Sequence, residues 1–140
     1  MKFKLVIFSI VFLLLVESAF SQVQWRENYY TINEVKYTVK ISKEDLKDTP
    51  SWNPEEEETA PLSLQKAIEI GRTNLKRIIP IADDKWRIWN ISLEEMGENK
   101  WFYIIEFEPL TRLNGKHVKL GIFIKMDGTI IEPTVTPNDT

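Results

Sequence analysis

The residues of this chain best placed for acid–base chemistry are glutamates. Glu94, Glu106 and Glu108 flank one expected hairpin. Two carboxylates facing a common point are what glycosidic hydrolysis requires, one as acid and one as base or nucleophile. Glu106 and Glu108, however, alternate with Phe107, which is the ordinary signature of a strand with one solvated face. Both are therefore expected to face solvent, and a Glu-based hydrolase ranks third among the functional readings. His117 is the single histidine and follows Asn114-Gly115-Lys116 at a turn. One imidazole without carboxylate help does not make a zinc site, so His117 is expected to be a solvated turn residue. The chain has no cysteine, which removes thiol nucleophiles and Cys-ligated zinc. No Gly-x-Ser-x-Gly element is present, and a serine nucleophile needs a base beside it. The run Glu55-Glu56-Glu57-Glu58 lacks the spaced Asp, Asn and Gly of a calcium loop and reads as a solvated charge run. No catalytic, cofactor-binding or metal-binding residue is expected, and the chain is read as a non-enzyme.

Aromatic side chains carry more information. The stretch Trp101 to Phe107 is apolar on both faces: Trp101, Tyr103, Ile105 and Phe107 on one, Phe102 and Ile104 on the other. A strand of that pattern is buried on both sides. One helix can cover one face only. The other is covered by residues 25–52, or it stands as an aromatic binding surface. Trp86 and Trp89 are three apart on the preceding strand and face opposite sides. Trp89, Trp101, Phe102 and Ile104 are the candidate surface residues.

The elements that must position these residues follow from periodicity. Val35, Tyr37, Val39 and Ile41 alternate with polar residues as a half-buried strand, with Tyr29 to Ile32 as its partner across Asn33-Glu34. Ser42 caps a single helical turn, Lys43 to Lys47. Residues 48–62 form a connector punctuated by Pro50, Pro54 and Pro61, which Trp52 can pin to the core. Ser63 caps the main helix, whose apolar stripe is Leu64, Ala67, Ile68, Gly71, Leu75 and Ile78, and Pro80 ends it. Three strands follow: Trp86 to Leu93, Trp101 to Phe107 and Val118 to Met126. Asn114-Gly115 and Asp127-Gly128 are turn signals. Asp83-Asp84 marks a further turn. Residues after Pro133 read as a flexible tail. The expected class is α+β: one main helix packed on an antiparallel β-meander, with an additional N-terminal strand or hairpin.

The first residues say where the chain goes. Lys2 and Lys4 precede an apolar run from Leu5 to Val16, and Ala19 and Ser21 are small residues before a cleavage point. This is a secretory signal peptide over 1–21, too short to span a bilayer, which needs about 20 apolar residues. Cleavage after Ser21 leaves Gln22 first. The net charge of −3 becomes slightly more acidic when Lys2, Lys4 and Glu17 are lost. A mildly acidic chain without a basic block is not built for nucleic acid or an anionic membrane as its main partner. One domain is expected by length. The organisation is thus 1–21 signal peptide, 22–62 strand region and connector, 63–132 helix plus sheet, and 133–140 tail.

The helix-plus-sheet segment resembles the PepSY and PepSY-like family. The matching stretches are Leu62-Ser63-Leu64-Gln65-Lys66-Ala67-Ile68-Glu69-Ile70, then Lys100-Trp101-Phe102-Tyr103-Ile104-Ile105-Glu106-Phe107, then Ile124-Lys125-Met126-Asp127-Gly128-Thr129-Ile130-Ile131. Gly71 stands where alanine is more usual, and the loop Thr111 to Lys116 extends the second hairpin. The resemblance implies a small exported domain, and the family has been proposed to inhibit or chaperone secreted peptidases. It supplies no catalytic residue. The expectation is a secreted or periplasmic binding module whose partner is an exported protein or peptide. An accessory component of a cell-envelope assembly, recruited by edge-strand pairing, is the alternative.

Overall fold

The computed structural model describes residues 25–80, 82 and 85–137. The expected signal peptide over 1–21, residues 22–24, Ile81, Asp83-Asp84 and the last three residues lie outside that set. Eight elements follow in order: β1 (Trp25–Ile32), β2 (Val35–Ser42), α1 (Lys43–Leu46), α2 (Leu64–Ile78), β3 (Trp86–Glu95), β4 (Trp101–Pro109), β5 (Leu120–Lys125) and β6 (Thr134–Pro137).

The strands form two antiparallel sheets of three, in the orders β1-β2-β6 and β3-β4-β5. This corrects the expected class. The fold is a mixed α+β arrangement dominated by sheet, with a second complete sheet where a lone N-terminal strand or hairpin beside one meander was expected. The physical reason lies in β4, which is buried along almost its whole length. Its two faces need two covers. Helix α2 covers one, where Gly71 lies against Phe107 and Ile105. The outer sheet, β1-β2-β6, covers the other, where Tyr30 lies on Gly121 of β5. The central sheet, β3-β4-β5, is therefore the middle of three layers.

The tail expectation is also corrected in part. Thr134 to Pro137 pairs with β2, with Val35 opposite Pro137 and Thr38 opposite Thr134. β-Branched Thr134, Val135 and Thr136 suit a strand, and Pro137 is tolerated because β6 is at the edge. The first hairpin closes through Asn33 (φ 49°) and Glu34 (φ 64°), consecutive left-handed residues that match the strand twist without glycine. Asn114 (φ 49°) and Gly115 (φ 72°) make a tight turn of the same kind between Leu113 and Lys116. Ser63 caps α2 by accepting from the Lys66 amide at 3.2 Å. The connector is tied down at Trp52. Its amide donates to the Asn99 carbonyl, its own carbonyl accepts from the Trp101 indole at 2.8 Å, and the two rings meet edge to face.

The two sheets approach closely at Gly121. A Cβ built there falls 2.1 Å from the Tyr30 hydroxyl oxygen and 2.7 Å from its ring. Gly121→Ala must therefore push Tyr30 out of a buried, hydrogen-bonded position. The expected cost is about 1–3 kcal/mol, the range for overpacking a closed core. A denaturant midpoint lowered at unchanged slope checks it.

Candidate functional site

The face of the central sheet turned toward the outer sheet carries a polar seam along β3. It begins at Glu94, which pairs with Arg26 of β1 and accepts from the Ser92 hydroxyl at 3.1 Å. The Arg26 Nε donates to Asn28, and Asn28 Nδ2 donates to the Tyr30 hydroxyl at 3.1 Å. Tyr30 donates to Glu106 Oε1 at 3.3 Å, and Asn90 Nδ2 approaches Glu106 Oε2 at 3.5 Å. A cleft of about 490 Å³ opens at the Glu94 end, lined by Trp25, Arg26, Glu94, Glu95, Met96, Gly97 and Phe102. Burial raises the Tyr30 phenol to about 12, reinforced by the charge of Glu106. The hydroxyl therefore stays a donor across all ordinary pH.

The other end of the seam is a built corner around Glu108. Arg87 lies opposite Glu108 in the β3–β4 register. Its guanidinium donates twice to Oε1, at 2.9 and 2.7 Å. His117 Nε2 stands 2.9 Å from Oε2. Apart from this contact, Oε2 is buried without a hydrogen-bond partner among the described residues. Glu108 is 2 % exposed. A carboxylate this deep is retained only if paired, because desolvating an unpaired charge costs several kcal/mol. The β3–β4 register shifts between Ile88 and Asn90, and Trp89 is the inserted residue. Bulges re-aim side chains in this way. Trp89 reaches across β4 to meet His117 edge to face at 5.8 Å, and Lys119 Nζ sits 4.1 Å from its ring centre. Arg87, Trp89 and His117 thus close over the Glu108 carboxylate while Trp89 itself stays 49 % exposed.

Of the four expected surface residues, only Trp89 stands exposed. Phe102 and Ile104 are 1 % and 2 % exposed, because strand alternation aims both at the face that the outer sheet covers. Trp101 is half-buried against Trp52. The expectation of a solvated Glu106 and Glu108 is overturned for Glu108; His117 stays solvent-exposed as expected but also contacts Glu108 and Trp89. Arg87 and Lys119 did not figure among the expected site residues. The Arg87–Glu108 register follows once β3 and β4 are paired through their hairpin, but the bulge at Trp89 has no sequence signal. Trp25 and Tyr29 are exposed on the far side of the outer sheet, with Lys40 and Lys36 over their rings.

A general acid or base must reach the proton it moves. Glu108 is shut in by its partners, and Glu106 and Glu94 are each tied to neighbouring donors. The seam holds side chains in place; it does not present an open carboxylate pair. Among the described residues no group of three or more His, Cys, Asp or Glu side chains could hold a metal ion. No described helix is long and apolar enough to cross a membrane. No family model, no curated protein and no solved structure matches the chain.

Tyr30 yields a pH prediction. Its folded value lies above the unfolded value near 10, so the folded state binds this proton more tightly. The resulting stability is fully present below pH 10 and is lost as pH rises from about 10 toward about 12. Tyr30→Phe is expected to remove that alkaline loss and the latest phase of the phenolate absorbance titration.

Proposed function

We propose that this chain is a small exported, non-enzymatic module that binds a protein or peptide through the Trp89 corner. One observation carries the reading. Trp89 is set outward by a bulge on an edge strand and held by His117 and Lys119 above a buried, ion-paired glutamate. Half-exposed tryptophan beside arginine is the side-chain composition in which interface energy concentrates. The reading as a non-enzyme rests on the use of the carboxylates, each engaged by neighbouring donors. The resemblance to PepSY domains stands behind the same reading and adds the idea of a secreted partner. A second reading, an accessory component of an envelope assembly, is favoured by β1 and β3, which each end a sheet with one unpaired edge.

Affinity capture with residues 22–140 against the exported fraction of the source organism tests the module. A discrete partner is expected, lost on Trp89→Ala while the melting transition stays cooperative. Capture that survives Trp89→Ala refutes the corner as the binding site. Export itself is checked by N-terminal sequencing of the protein recovered outside the cytoplasm. The expected first residue is Gln22.

A further inference from the structure

The Trp89 corner has a charge character opposite to that of the chain. His117 and Lys119 enter it from the segment that follows β4, Arg112 and Lys116 stand on that same segment, and Arg87 lies opposite Glu108 in the β3–β4 register. Glu108 within the corner is buried and occupied on Oε1 by Arg87, and Glu34 lines a neighbouring pocket together with Lys116. Arg112, Lys116 and Lys119 make no ion pair with a described carboxylate. Elsewhere Arg26, Lys47, Lys66 and Arg77 are each neutralised by one. Among the described residues, one group of acidic side chains lies at the opposite end of the central sheet. Glu95 and Glu98 lie by the β3–β4 turn, and the Glu55–Glu58 run follows Trp52, which is fixed to that turn. A chain of net charge −3 thus places Arg112, Lys116 and Lys119 close together in sequence on the segment that brings His117 and Lys119 to Trp89.

We infer that the Trp89 corner docks an acidic peptide segment bearing an apolar side chain, which deepens the binding-module reading and rests on it. The apolar side chain packs on Trp89 and on exposed Leu110, while carboxylates of the segment meet Lys116, Lys119 and Arg112. Lys119 already lies over the indole, so a carboxylate arriving there finds a cation held in place by the ring. Separation of charge along the molecule orients an acidic partner toward this end before contact and turns the acidic end away from it.

Fluorescence anisotropy with a labelled peptide of alternating Glu and Leu tests the inference on residues 22–140. That peptide is expected to bind and to perturb tryptophan emission. A Lys-Leu peptide of equal length is expected not to bind. Affinity should fall steeply between about 0.05 M and 0.5 M salt, as screening shortens the reach of exposed charge. The double variant Lys116→Glu, Lys119→Glu should weaken binding at least about tenfold, given the contribution of rim charges to association. The double variant Lys36→Glu, Lys40→Glu, on the far face of the outer sheet, should leave it unchanged. Both variants must melt cooperatively. Equal binding of the two peptides, absence of binding by the acidic one, or indifference to Lys116→Glu, Lys119→Glu overturns the inference. Competition by inorganic phosphate as effective as that by the peptide overturns it in favour of a simple anion site. Oligothymidylate bound as tightly overturns it in favour of nucleic acid. A captured partner that needs Trp89 but not Lys116 and Lys119 sinks acidic recognition and leaves the module standing.

Discussion

Burial of β4 on both faces is the constraint from which the rest of this structure follows. Tyr103, Ile105 and Phe107 need a cover on one side, and Phe102 and Ile104 need one on the other. Leaving either set wet would forfeit roughly 1.5–3 kcal/mol for each large side chain. A single amphipathic helix closes only one side. The outer sheet exists to close the second, and three layers result. Phe102 stacks on Phe123 beneath that sheet, with centroids 5.9 Å apart.

The polar seam is a consequence of the same packing. The outer sheet does not extend over the whole central sheet, and where β3 forms the edge the buried surface gives way to polar side chains. Each acidic residue there must then find donors, because the low local dielectric makes an unpaired group expensive. Tyr30 and Asn90 serve Glu106, Arg26 serves Glu94, and Arg87 serves Glu108. Glu108 lies at the end of this sequence, where the roof over it is made of side chains alone. The corner accordingly combines a buried, paired carboxylate with a tryptophan left half in water.

Much of the local structure was legible in the chain. Ser63 and Pro80 bracket α2, Asn114-Gly115 turns as its composition demands, and the two-sided apolar pattern of Trp101 to Phe107 already required two covers. Local signals cannot say what provides the second cover. Thr134 to Pro137 is too short to read as a strand by itself, and its pairing with β2 is a long-range event. The burial of Glu108 was hidden for a related reason. Alternation with Phe107 marks the opposite face, and that face is ordinarily solvated. Here a one-residue bulge at Trp89 and a register match at Arg87 bring partners onto it. A bulge depends on the pairing of two strands and has no footprint in one.

Strand β2 has two neighbours of very different origin. β1 reaches it through a two-residue turn, whereas β6 reaches it from the far side of the described chain. Closing that second pairing costs loop entropy, part of which is repaid where Ile130 and Ile131 pair with β5 just before β6. The central sheet and α2 are joined by short connections and can assemble from contiguous sequence. The outer sheet is complete only when residues 134–137 are at hand. Assembly order is thereby written into the topology: the hairpin and the β3-β4-β5 layer come first, and the strand that completes the N-terminal sheet comes last.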